Sequence, residues 1–305
     1  MTSSGSPRIL IVNADDFGLS RGVNAGVVEA FDNGILTSAT WLANAPCFDE
    51  AVAIAKARPG LGVGVHLNLV RGQPLSPAGS VPLLIDGAGG LRPFRVRRLT
   101  DRFLSQAGIE YRRQIEKVLH AGVKPTHIDF EKHHAWQGPL YRVACGLARE
   151  YGIAAARTLR EPVAWSVRKL GWPGMGKMLW AAFLRSGFDL GGGWRCGLHR
   201  PDRLLGQCHI GAMREGVWLA LLRSLPPGVS EVMVHPGQSG GSGVDSASGE
   251  DDSMGESWLE GMREIELSAL VSPRVRGAVD AAGVRLAHFG AVQWHDAKTG
   301  ACCLA

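Results

Sequence analysis

The sequence predicts an α/β protein built on a mainly parallel sheet. At 305 residues a closed or nearly closed barrel suits it best, with a doubly wound open sheet as the alternative. Three observations carry this reading. Short apolar runs alternate with helical patterns along most of the chain. A hydrophobic content of 45 % supports a sizeable core and excludes intrinsic disorder. Aspartate, histidine and glutamate recur where the predicted strands end, which is where barrel proteins place their sites.

Residues 9–12 read as the first strand. Ser20 is placed to cap a helix running to about residue 33, with Val23, Val27, Val28 and Phe31 on one face and Gly34 closing it. Strands are expected over 37–45, 61–70, 126–130, 153–158 and 231–235. Helices are expected over 48–57, 101–120, 140–151, 217–225 and 274–282, with Gly122 ending the longest. Two stretches break the rhythm. Residues 163–212 hold several tryptophans, clustered glycines and an amphipathic patch (Met178, Leu179, Trp180, Phe183, Leu184), and residues 237–257 form a Gly/Ser/Asp-rich loop. The expectation is one domain over 1–305, with 163–212 a substrate-side insertion and 290–305 a C-terminal tail.

The net charge of +5 is mild and no dense Lys/Arg tract occurs, which excludes a nucleic-acid surface. The six cysteines show neither a CxxC pair nor a disulfide framework. With no signal-type apolar stretch and no membrane-length run, reduced thiols in a cytoplasmic protein are expected.

The chemistry concentrates in four places. Asp15 and Asp16 follow the first strand; two adjacent buried acids need something positive beside them, and a cation is the simplest candidate. A capping acid beside a surface acid is the bland alternative. In residues 62–69 the two-residue strand period puts Val63, Val65, Leu67 and Leu69 on one face. It puts Gly64, His66 and Asn68 on the other, aimed at a barrel mouth. The same period places His127, Asp129 and Glu131 on one face and Ile128 and Phe130 on the other, with His133 just beyond. His235 ends a β-branched strand before Pro236-Gly237. Each signal is weak alone, but together they supply the ligands of a divalent ion, plus a spare acid and a spare histidine for proton transfer.

The segments 12–20, 34–40, 64–69, 124–129 and 235–237 resemble, in order, the motifs of the YdjC-like (ChbG/YdjC) carbohydrate deacetylases, over roughly residues 8–160 and 228–290. The resemblance implies an irregular β/α barrel related to the polysaccharide-deacetylase (NodB-like) fold, and one divalent metal ion, zinc for preference or magnesium. It implies Asp15 as general base, Asp16 and His66 as metal ligands, and His235 as general acid. At the third ligand position the family commonly carries histidine and this chain carries Glu131, with His127 and His133 as the neighbouring alternatives. Asn68, His127, Asp129 and His133 are expected around the substrate. The Glu-Lys-His variant and the Trp/Gly-rich middle are similar to the hopanoid-biosynthesis-associated HpnK subgroup, which implies an N-acetylglucosaminyl hopanoid as substrate.

The partners expected are therefore an amino sugar or glycolipid, with the protein cytoplasmic and in peripheral contact with the inner membrane face; a homodimer is compatible. Trp165, Trp172, Trp180, Phe183 and Trp194, flanked by Arg168, Lys169, Lys177 and Arg185, would wall the acceptor end of the cleft. Deacetylation of soluble chitooligosaccharides, a metal-free glycosidase using Asp15 and Glu131, and a silent sugar-binding homologue are the competing readings.

Overall fold

A computed structural model describes residues 7–92, 99–136, 138–172, 197–238 and 256–294. Eight strands appear among the described residues: β1 (Arg8–Phe17), β2 (Ser38–Trp41), β3 (Gly62–Leu67), β4 (His127–Phe130), β5 (Ala155–Ala156), β6 (Arg203–Leu205), β7 (Gly228–Val234) and β8 (Val284–Leu286). Every pairing between them is parallel, in the order β5-β4-β3-β2-β1-β7-β6 with β8 on β1. The sheet curls until its ends meet. Ala155 bridges His199 in parallel, and the Leu204 N–H donates to the Arg160 carbonyl. The irregular parallel barrel expected from the sequence is what the chain forms.

The helices are α1 (Arg21–Asp32), α2 (Phe48–Ala57), α3 (Asp101–His120), α4 (Gly138–Glu150), α5 (Val163–Leu170), α6 (Glu215–Ser224), α7 (Glu256–Leu270) and α8 (Pro273–Ala281). Ser20 caps α1 by accepting from the Val23 N–H, as its position predicts. Thr100 does the same for α3 at Phe103, and Gly122, in the left-handed region, ends that helix. Helix α7 has no counterpart in the sequence reading.

Strand β1 is buried on both faces, as a central parallel strand must be. Its outward residues Leu10, Val12 and Ala14 join the main core under the helices. Its inward residues Ile9 and Ile11 pack with Ala155, Ala287, Phe289 and Val292 to fill the lower barrel. Above them the inward positions turn polar, with Asn13 and Asp15 on β1, Asp129 on β4 and Glu231 on β7, all buried. Apolar layers thus close one end, and a polar layer lies at the C-terminal ends of the strands. Among the described residues no helix is long and apolar enough to cross a membrane.

β8 has an uncommon place. Arg8–Leu10 pair with both β7 and β8, while Asn13 and Ala14 pair with both β7 and β2. β8 and β2 therefore share one edge of β1, β8 along its start and β2 along its end.

Candidate active site

The polar layer is organised by Arg157, which follows β5 and is fully buried. Its guanidinium grips Asp15 with two bonds of 2.6 and 2.7 Å, reaches Asp129 at 2.9 Å and bonds Glu231 at 2.7 Å. Burial raises the pKa of Asp15, but the charge and hydrogen bonds of Arg157, with help from His66 and His235, hold it well below the usual carboxylate range. One cation cannot neutralise three acids, and Glu231 carries the imbalance. Burial and the nearby Asp129 and Asp15 charges outweigh Arg157 and push its carboxyl up to about 8.

A stability prediction follows from Glu231. Between its unfolded pKa of about 4.3 and its folded value of about 8, the folded chain holds a proton that the unfolded chain has lost. The Glu231 contribution is thus fully present at low pH and falls away as pH rises through that window. Glu231→Gln should match the parent in urea melts below pH 4 and exceed it at pH 9, by on the order of a few kcal/mol. A difference that does not vary with pH would contradict this.

The second arrangement surrounds His66 at the end of β3. Its Nδ1 lies 2.6 Å from Asp129 Oδ1, and its Nε2 lies 2.9 Å from Glu131 Oε2. Burial alone would lower the histidine pKa. The Asp129 charge and hydrogen bond, the Glu131 bond and Asp15 reverse this and raise it well above the ordinary value. Thr40 donates to the other Asp129 oxygen at 3.0 Å, so Asp129 is fixed behind His66.

Adjacent strand residues point to opposite faces, yet Asp15 and Asp16 both serve this mouth. The reason is local. Asp16 has φ of 67°, and the β1–β2 register shifts between Ala14 and Phe17. That kink turns Asp16 back toward the site, where Arg71 donates to Oδ1 at 2.9 Å and Arg263 to Oδ2 at 2.7 Å. Burial raises the Asp16 pKa, but Arg71 and Arg263, then His235 and His66, bring it well below the carboxylate range. Arg71 also approaches Glu131 at 3.2 Å, and it is the main influence lowering the Glu131 pKa against burial.

Donor atoms of Asp16, His66 and Glu131 lie within 4.8 Å of one another, as do those of Asp15, His66 and Asp129. Two carboxylates and an imidazole are a donor set that suits a zinc-like divalent ion. The first group fits better. In it His66 presents Nε2 while Asp129 holds Nδ1, the usual way a carboxylate orients a metal-bound histidine. The second group would need Nδ1 itself, the atom that Asp129 already holds at 2.6 Å. Of the alternatives for the third ligand, His127 and His133 are in neither group.

Several of the residues expected around the substrate are engaged within the protein. His127 is fully buried and stacks on Phe289 with ring centroids 3.7 Å apart, one inward layer below Asp129. The absence of a side chain at Gly64 makes room, since a Cβ there would lie 2.5 Å from the His127 ring. Asn68 lies past the end of β3 and is spent on its own loop, accepting from the Val70 and Arg71 N–H groups and donating to the Arg71 carbonyl. Asp129, with no exposure, serves His66 and Arg157. His133 is buried in a left-handed turn with Lys132, next to Glu131. For His127 the cause is that parity chooses a face of a strand but not a height along the barrel; Asn68 and His133 lie past the strand ends, where parity no longer applies.

His235 follows β7, with its side chain 10 % exposed. Its backbone N–H donates to Glu266 Oε2 at 2.6 Å, and its Nδ1 lies 3.9 Å from the same oxygen. Glu266 and Arg263 both come from α7, three residues apart on one helical face. Arg71, Arg157, Arg263, Glu231 and Glu266 were not anticipated from sequence. Arg157 and Glu231 leave a trace there, sharing the parity of Ala155 and of His235 in predicted strands.

The fold and site define a β/α-barrel protein with a candidate metal centre at the C-terminal rim of its strands. The chain belongs to the YdjC-like protein family, whose profile matches residues 9–281. It is 31 % identical over 229 residues to a carbohydrate deacetylase of Thermoanaerobacter pseudethanolicus, covering 75 % of this chain and 81 % of that one. It is 44 % identical over 148 residues to a carbohydrate deacetylase of Brevibacillus brevis, covering 47 % and 57 %. The chain spans about three-fifths of the length of several curated relatives it matches. A crystal structure of a putative cellobiose-phosphate cleavage protein from Enterococcus faecalis V583 superposes with a TM-score of 0.69 at 26 % identity, over 93 % of this chain and 98 % of that one.

Proposed function

We propose that this protein is a metal-dependent carbohydrate deacetylase that hydrolyses the N-acetyl group of an N-acetylglucosaminyl substrate. The observation that carries the reading is the convergence of Asp16, His66 and Glu131 within 4.8 Å, on the rim that also holds Asp15. Relatives that carry the name carbohydrate deacetylase support it. A divalent ion held by those three residues would polarise the acetyl carbonyl and acidify water. Asp15, kept ionised by Arg157, takes the proton of the attacking water. His235, close enough to influence both Asp15 and Asp16, gives a proton to the leaving nitrogen. The C–N bond breaks, and acetate and a free amine result.

A metal-free glycosidase using Asp15 and Glu131 is disfavoured by the same charges. Such an enzyme keeps one carboxyl protonated as its acid, whereas both of these are held below their ordinary pKa values.

Acetate release from N-acetylglucosaminyl substrates tests the proposal. A chelator should abolish turnover and added zinc should restore it, while a glycosidase would be indifferent to both and release no acetate. The finer reading is a hopanoid-linked substrate met at an anionic membrane surface. Trp172, 68 % exposed just past α5 and near Arg168 and Lys169, supports it. Trp180, Phe183, Trp194, Lys177 and Arg185 lie outside the described residues. Comparing lipid-linked with free N-acetylglucosamine, alongside liposome flotation, decides that point; equal rates without flotation would remove the lipid.

A further inference from the structure

We propose that Arg263 of α7 is the positioning residue of the metal centre, fixing the Asp16 carboxylate for the ion, and that Gly237 is what allows it to reach. The inference rests on the metal-centre reading above. Asp16 occupies a left-handed backbone conformation that non-glycine residues adopt only at a cost. A carboxylate on such a kink keeps one orientation only if something holds it. Two arginines do so, and they differ. Arg71 comes from the loop after β3, its side chain is 19 % exposed, and it also contacts Glu131. Bridging two of the proposed ligands, it competes with a cation for the same oxygens. Arg263 is 8 % exposed on its side chain and contacts Asp16 through Oδ2. It can stay in place while Oδ1 is given to an ion.

The path of Arg263 to Asp16 runs across Gly237, in the turn after His235. A Cβ at Gly237 would lie 2.9 Å from Arg263 Cδ and 3.1 Å from its Cβ, tighter than ordinary packing. The turn cannot retreat, because Gly237 itself lies against Gly26 of α1, where an added Cβ would be 2.5 Å from the Gly237 Cα. The glycine after His-Pro thus gives the arginine a channel to the site. Arg263 Nη1 is buried and has no hydrogen-bond partner among the described residues, while Nη2 delivers the bond to Asp16.

The test is zinc titration by calorimetry into chelator-stripped full-length chain, with thermal melts of the metal-free proteins alongside. Arg263→Met should weaken zinc binding about 10–100-fold, the usual effect of removing a partner of a metal ligand. Arg263→Lys should recover part of the loss, and Gly237→Ala should weaken zinc in the same direction. Zinc affinity unchanged or tightened in Arg263→Met would overturn the proposal, since a mere neighbouring cation would oppose the ion. If the Met variant does not fold, the Lys variant decides: weakened zinc binding supports the role of Arg263 and parental binding overturns it, while parental binding in Gly237→Ala overturns the part given to Gly237. A parent chain that binds no zinc at all would defeat the metal-centre reading and this inference with it, which separates that failure from the others.

Discussion

Arg157→Met is expected to destabilise the protein by about 3–5 kcal/mol, the loss typical when one partner of a buried ion pair is removed. The basis is that Asp15, Asp129 and Glu231 are all buried against this one guanidinium. Replacing it with an apolar chain of similar length leaves Asp15 and Glu231 without their bonded cation and Asp129 with His66 alone, in a space that excludes water. Arg157→Lys should recover only part of the loss, because an ammonium cannot bond three carboxylates in fixed directions at once. Lower pH should narrow the gap between Met variant and parent, since protonated acids no longer need a cation. Urea melts at pH 5 and 8 measure both effects. A Met variant within about 1 kcal/mol of the parent at pH 8 would mean that Arg157 is not the organiser of this layer.

Asp15→Asn is expected to lower kcat by ~10²–10⁴ while bound metal stays near one equivalent, the range that proton transfer by a positioned side chain contributes. Asparagine keeps an oxygen for Arg157 and Asn13, so the site's shape should survive. What disappears is the ability to accept a proton. Metal analysis beside kinetics makes the result specific. Full metal with collapsed turnover assigns Asp15 as the base. Loss of metal would move it into the ligand set with His66 and Asp129, the second grouping that the geometry allows. Near-parental turnover would falsify any proton-transfer role.

The sequence made the strands of the site legible, because parity is a strong signal wherever one face packs on helices. Val63, Val65 and Leu67 pointed outward and His66 inward, and the structure agrees. Parity alone did not foresee that Asp16 would share a mouth with Asp15. That depends on one backbone torsion, which neither residue type announces. The arginines were illegible for a different reason. Arg71 and Arg263 reach the site from a loop and from a helix far along the chain. Helix α7 itself is hard to see in the sequence, its charged run interrupted by Gly261 and preceded by a Gly/Ser/Asp-rich stretch. A solvent-facing pattern there hides two residues, Arg263 and Glu266, that turn inward at the site.

The pairing of β8 beside β1 has a kinetic consequence. Arg8, Ile9 and Leu10 find their partners at Val284, Arg285 and Leu286, so the start of β1 is completed by a strand far along the chain. Contacts that close so long a loop are slow to form and are made late. The strand left waiting is the one whose far end carries Asp15 and Asp16. Refolding should accordingly show α3 and α4 gaining exchange protection before β1, with zinc uptake following the slow phase rather than the fast one.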